Sequence, residues 1–392
     1  MKTQFAPANL IDQTTARFQP LDARLAVVPA PDQACTPARR IFTFEPELSL
    51  HQSFTATRGN ASSDKLDDGI RQFKEFMLRT DAEALKKDNV ISQETIDQAV
   101  AHFRDFCFLV NSLIGDSAEE NISVKAELGA KLQREILPYL LLTGTAERFY
   151  SKPRGYAGDF FTIELIYENV PRGTGRIGAM LDKCFLESSP SKAVRNRRSL
   201  LADEIQLVIK ENQGRATGVT SLACGPAQEL FDVFDQLEDT GQLKASCLDI
   251  DMQALAFVSE KRDKHRLQNR IRLIEANLVY LALGRHKLDL SDQDLIYSIG
   301  LIDYFNDELV VKLLNWIYDR LRPGGKVIVG NIHTPNSWKA IMDYLLDWKL
   351  IYRNEEDMDR LFSNSAFGRP PTRIRFEEEK MNLFAECIRS SP

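Results

Sequence analysis

The residues Ser221-Leu222-Ala223-Cys224-Gly225-Pro226-Ala227 carry an apolar run into a string of small side chains. A strand that ends this way and passes into a helix lets backbone approach a ligand closely at the carboxyl edge of a sheet. Only one of the usual three glycines is present, with Ala223 and Ala227 in the other places, so this segment alone also fits an ordinary tight turn. Asp249 follows 24 residues after Gly225, at the end of the next apolar run. A carboxylate there can accept hydrogen bonds from the vicinal hydroxyls of a ribose. Asp251 suits the cap of the helix that follows. After the third run come Glu275-Ala276-Asn277-Leu278, where an amide side chain can meet an adenine edge, and the fourth ends in Ser298-Ile299-Gly300-Leu301-Ile302-Asp303-Tyr304-Phe305.

Three further places carry polar chemistry. On a helix from about Ala193 to Asn212, Arg198 shares a stripe with Leu201, Ile205 and Val208. A cation on the inward face of a first turn opposes the helix dipole and calls for a nearby anion, one candidate being a cofactor carboxylate. Arg195 and Arg197 read instead as surface residues. The loop Lys152-Pro153-Arg154-Gly155-Tyr156-Ala157-Gly158-Asp159 is dense in glycine, charge and aromatic character, as lids and binding loops are; Asp159 also suits the cap of a helix at Phe160–Tyr167. His333, in Gly330-Asn331-Ile332-His333-Thr334-Pro335-Asn336, follows a central strand and is a candidate catalytic group together with Tyr304. The cysteines Cys35, Cys107, Cys184, Cys224, Cys247 and Cys387 form no CxxC pair and the histidines no HExxH, so neither a metal site nor a disulfide framework is expected.

These residues need a scaffold, and the pattern supplies one. Residues 1–62 are interrupted by Pro7, Pro20, Pro29, Pro31, Pro37 and Pro46 and read as an irregular arm, with Ile41–Phe44 as a short edge strand or docking segment. Residues 63–190 read as a helical domain. Behind a Ser92 cap, Ile96, Val100, Phe103, Cys107, Val110 and Ile114 recur at helical spacing, as do Leu128, Leu132, Ile136 and Leu140. Residues 191–392 alternate strand and helix: apolar runs at Val219–Cys224, Ala245–Ile250, Ile271–Ile274, Leu295–Ser298 and Lys326–Val329, with helices expected at Ala227–Leu237, Met252–Lys264, Asp307–Leu321 and Trp338–Leu350. Thr372–Glu377 and Asn382–Ile388 close the chain as a hairpin. The fold class is therefore α/β, a doubly wound and mostly parallel sheet with an antiparallel C-terminal hairpin, preceded by an α-helical domain. The chain has 392 residues, 43% hydrophobic and 27% charged, with net charge −6, which excludes a disordered chain and a broadly basic nucleic-acid binder. No apolar stretch is long enough for stable membrane insertion and no leader is evident, so a cytoplasmic location is expected.

Taken in order, the small-residue loop, Asp249, Asn277, the Ser298–Phe305 segment, the Leu321-Arg322-Pro323-Gly324-Gly325 run and the final hairpin resemble the class I S-adenosylmethionine-dependent methyltransferases over about residues 195–390. The resemblance implies S-adenosylmethionine as cofactor, with Ala223, Cys224 and Gly225 at its methionine part, Asp249 and Ile250 at the ribose, Asn277 and Leu278 near the adenine and Ser298 at the sheet edge; Arg198, Tyr156 and Asp159 are further cofactor-binding candidates from their own chemistry. Arg154-Gly155-Tyr156-Ala157-Gly158-Asp159, Gly330-Asn331-Ile332-His333-Thr334-Pro335-Asn336 and Asp347-Trp348-Lys349-Leu350-Ile351-Tyr352-Arg353 also resemble a narrower group, the bacterial methyltransferases associated with synthesis of 3-hydroxypalmitic acid methyl ester, a quorum signal.

That narrower likeness implies a small-molecule acid as acceptor, an acyl chain being one such acid, and leaves homo-oligomerisation open; the absence of a basic domain and of an Asn-Pro-Pro-Tyr-type motif argues against a nucleic-acid partner. A carboxylate is already a nucleophile, so His333 and Tyr304 would orient it, whereas a hydroxyl would need one of them as base. The rivals are an O- or N-methyltransferase of another metabolite, an aminopropyltransferase of the same fold and a non-catalytic nucleotide-binding regulatory module.

Overall fold

The structure is a computed structural model that describes residues 61–391, Gln213 excepted. The expected arm, its Ile41–Phe44 segment and Cys35 lie outside the described residues.

Three long helices come first: α1 (Ala61–Lys86), α2 (Gln93–Ile114) and α3 (Ile122–Leu140). Ser92 caps α2, its hydroxyl accepting the Thr95 amide at 3.3 Å. Phe103, Cys107, Val110 and Ile114 of α2 and all four residues of the α3 stripe are at most 5% exposed, each such side chain contributing about 1.5–3 kcal/mol of burial. Three shorter helices follow, α4 (Thr145–Ser151), α5 (Phe160–Glu168) and α6 (Gly178–Leu186), and then the long α7 (Ser189–Glu211). The helices α1–α6 share one apolar core, in which Phe103 meets Phe185 and Trp338 with ring centres 4.9 and 5.9 Å apart. Trp338, Ile341 and Leu345 thus enter this core from far along the chain. The expected boundary near residue 190 falls in the first turn of α7.

From Thr217 the chain alternates as expected: β1 (Thr217–Leu222), α8 (Gln228–Gln236), β2 (Leu243–Asp249), α9 (Met252–Lys264), β3 (Ile271–Glu275), α10 (Leu278–Ala282), β4 (Gln293–Ile299), α11 (Asp307–Tyr318), β5 (Leu321–Ile332), α12 (Glu355–Ser363), β6 (Arg373–Phe376) and β7 (Asn382–Ile388). The sheet order is β3-β2-β1-β4-β5-β7-β6, with β7 antiparallel to both neighbours. Alternate strand residues feed two cores. Val219, Cys247 and Tyr297 pack under α7, α8 and α9, while Leu222, Leu248 and Ile296 pack under α10, α11 and α12. The strand order reverses between β1 and β4, the switch point at which a doubly wound sheet opens a crevice at its carboxyl edge.

One expectation needs correction. The helix expected at Trp338–Leu350 is a single wide turn, Ile341–Leu345, in which the Leu346 amide reaches the Ile341 carbonyl. Trp338, Ala340, Ile341, Met342, Leu345 and Leu346 are all buried, more apolar surface than one stripe of a regular helix can cover. The Pro323-Gly324-Gly325 run lies near the start of β5, where pairing with β4 shifts register.

Candidate active site

At the carboxyl edge, Ala223, Gly225 and Ala227 all have left-handed backbone, with φ of 52°, 53° and 49°. Glycine is the usual occupant of that conformation, so the two alanines keep the glycine-loop geometry at a cost of about 1–2 kcal/mol each. A Cβ on Gly225 would meet no atom within 4 Å, so the loop is open on that side. Asp249 ties this loop to the end of β2. Its Oδ2 accepts the Gly225 amide at 3.0 Å and its Oδ1 the Asp251 amide at 2.9 Å. Burial raises the Asp249 pKa against the pull of these amides. Beside it Ile250 is 56% exposed. Asn277 caps α10 through its Oδ1, which accepts the Tyr280 amide at 3.1 Å and leaves the side-chain NH2 uncommitted among the described residues. Cys224 is buried under the loop. Leu278 lies in the α10–α12 core and Ser298 donates to the Leu222 carbonyl at 3.1 Å, so these two side chains serve the fold rather than the open edge.

The Lys152–Asp159 loop lies across this edge. The Arg154 guanidinium holds both Asp251 oxygens, at 2.6 and 2.5 Å. Tyr156 stands close enough to Asp249 for that carboxylate to raise its phenol pKa, after burial itself. Asp159 has a different task from the expected ligand contact. It is fully buried, accepts the Phe161 and Thr162 amides at 3.0 Å and pairs with Arg148 through both oxygens. Arg198 is likewise corrected: its fork closes on Asp232 of α8 at 2.5 and 2.6 Å, so its anion is supplied by the protein.

Arg197, read from sequence as a surface residue, lines an apolar cavity instead. It has no carboxylate within ion-pairing distance among the described residues. Gly300 makes room for it: φ there is +77°, and a Cβ would stand 3.2 Å from the Arg197 Nη1. The cavity runs between the helical layer and the ends of β4 and β5. Phe185, Val194, Trp338 and Met342 give it apolar walls, and its charged groups are Arg197 and Asp303. Asp303 is 2% exposed. One oxygen accepts the Ile332 amide at 2.6 Å, and the other has no hydrogen-bond partner in another described residue. Burial raises its pKa from 3.8 to about 6, with Ile332, Arg197 and Arg353 pulling the other way.

Tyr304 lies in this cavity, and its hydroxyl accepts from Trp348 Nε1 at 2.9 Å. The ring is two-fifths exposed, but burial of the hydroxyl end raises its pKa, so Tyr304 is suited to donate and not to act as base. His333 is outside the cavity, whereas its neighbour Ile332 lines it. The imidazole pairs with Glu355 at 3.1 Å and packs edge-on against Phe376, which removes it from the acceptor side. The sequence placed Arg197 at the surface and gave Asp303 no role; the signal for Asp303 was an acid among apolar residues just past β4. Among the described residues no group of three or more His, Cys, Asp or Glu could hold a metal.

A doubly wound sheet with an open loop at its switch point and an apolar cavity beside it defines a small-molecule-binding α/β protein. The sequence matches the family described as "Putative methyltransferase" over residues 156–375, more than half of the chain, and the protein belongs to that family. No curated protein matches it. Among solved structures, it is similar to a protein from Bordetella parapertussis described as a possible exported protein, at 17% identity over 86% of this chain and 100% of that one, TM-score 0.49. It is also similar to magnesium protoporphyrin IX methyltransferase from Synechocystis PCC 6803 with bound SAM, at 12% identity over 62% and 95%, TM-score 0.41. The N-methyltransferase NodS from Bradyrhizobium japonicum WM9, with S-adenosyl-L-homocysteine, matches at 12% identity over 53% and 91%, TM-score 0.36.

Proposed function

We propose that the protein is an S-adenosylmethionine-dependent methyltransferase that converts the carboxylate of an apolar small acid, such as a 3-hydroxy fatty acid, to its methyl ester. The observation that supports this most is the apolar cavity whose charged groups are Arg197 and Asp303, opening at the same sheet edge as the Gly225 loop. The residues there fit the donor: the Gly225 side is open, Asp249 retains acceptor capacity for the ribose hydroxyls, Ile250 is uncovered, and Asn277 has a free amide donor near the adenine. Bound S-adenosylmethionine would supply an electrophilic methyl group on a sulfonium.

The chain's own work is positioning and exclusion of water, since an ionised carboxylate needs no base. Arg197 would hold the acceptor's acid group, and the uncommitted oxygen of Asp303 would accept a hydrogen bond from a neighbouring hydroxyl. Tyr304 borders the same space. The cavity holds about 70 Å³, room for roughly five waters, so a long acceptor needs the walls contributed by the loop and by Trp338–Leu350 to move.

A second reading rests on Asp303: the same oxygen could take the proton of an acceptor hydroxyl and give an ether. Donor binding is tested by calorimetry with Asp249→Ala. Loss of the hydrogen bonds to the ribose should weaken S-adenosylmethionine about 10- to 100-fold in a variant whose circular dichroism is unchanged. Equal affinity in the two proteins removes Asp249 from the site.

A further inference from the structure

The strap Trp348–Arg353 touches the turn that carries Asp303 and Tyr304 at each residue from Ile302 to Phe305. Trp348 Nε1 donates to the Tyr304 hydroxyl at 2.9 Å. The Ile351 amide donates to the Asp303 carbonyl at 2.8 Å. Arg353, 1% exposed, places its guanidinium under both ends of the turn, donating to the Ile302 carbonyl at 2.8 Å and to the Phe305 carbonyl at 2.6 Å. The same fork reaches Asn331 Oδ1 at 2.9 Å and Asp307 Oδ1 at 2.9 Å, so it is anchored to the end of β5 and the start of α11.

A buried guanidinium is expensive to desolvate, and hydrophobic groups of similar volume often replace buried ion pairs without loss of stability. Here two of its four acceptors are main-chain carbonyls of one short turn, an arrangement that fixes backbone position more than it adds stability. The planar fork is needed for that, because an ammonium cannot meet four acceptors in one plane. We infer that Arg353 is a positioning residue: through the Ile302 and Phe305 carbonyls it sets where Asp303 and Tyr304 stand in the cavity. The inference rests on the reading of that cavity as the acceptor site, and it explains why a strap far along the chain crosses the carboxyl edge.

The test uses the full chain labelled with 3-fluorotyrosine, the Tyr304 resonance being assigned by Tyr304→Phe. In Arg353→Lys the Tyr304 fluorine resonance should shift or broaden in the ligand-free protein, while the other tyrosine signals stay in place. For turnover, kcat should fall about 10²-fold, as displacement of about 1 Å at a reacting site does, with S-adenosylmethionine affinity within twofold of wild type. Asn331→Ala, which removes one anchor and leaves the charge buried with Asp307, should give the same pattern in weaker form. An unmoved Tyr304 resonance with unchanged kcat in a folded Arg353→Lys protein overturns the inference; if Arg353→Lys does not fold, Asn331→Ala decides by the same readouts. If the wild-type protein methylates no acid, the methyltransferase reading fails, and the fluorine resonance alone decides the role of Arg353.

Discussion

Asp303 and Arg197 bring opposite charges into one apolar space, and their effects on stability and on activity should differ in sign. Because burial lifts the folded-state pKa of Asp303 from 3.8 to about 6, its contribution is most favourable when it is protonated. That stability is fully present below about pH 4 and is lost as pH rises through 6. Asp303→Asn keeps an acceptor for the Ile332 amide and removes the buried charge. The variant should therefore match wild type near pH 4 and exceed it by roughly 2–3 kcal/mol at pH 8 in urea denaturation. Wild-type activity should be level above pH 7 and fall below pH 6, since the acceptor hydroxyl needs an ionised partner; Asp303→Asn should be weakly active without that limb. A variant less stable than wild type at pH 8 would show that the ionised carboxylate is not the strained form. Two single-position errors in the sequence reading share a cause here. One step along a helix turns a side chain by about 100° and one step along a strand turns it to the opposite face. Arg198 and His333 were therefore chosen where Arg197 and Ile332 face the cavity.

At the scale of elements, the glycines of the loop Lys152–Asp159 led to its reading as a lid or binding loop, and its partners were not legible. Arg154 reaches Asp251 across 97 positions of sequence, and Lys152 reaches the Asp347 carbonyl at 2.6 Å across 195. No periodicity encodes such pairs. Strands and helices of the sheet domain were readable to within a few residues because parallel strands are continuous apolar runs. The five-residue α10 and the capped α12 were too short to show a period. The wide Ile341–Leu345 turn was misread as a helix because burial on all sides removes amphipathicity. Limited proteolysis tests the loop: the donor or its product should slow cleavage at Arg154, and Arg154→Ala should remove most of that protection by releasing the Asp251 end. Equal cleavage with and without donor in wild type would show that the loop is no lid.

At the scale of the molecule, the helical layer and the sheet keep separate apolar cores, and the cavity lies where they meet. On the proposed reading, such a seam would hold an apolar acceptor beside the polar donor edge. The most direct measurement is a mass-spectrometric search after incubating the protein with a cell extract and S-adenosylmethionine bearing a deuterated methyl group. The expected result is an apolar product that carries the labelled methyl, releases it in mild alkali, and is not formed by Arg197→Met. A labelled product stable to alkali, or formed equally by Arg197→Met, would contradict methyl-ester formation at this cavity.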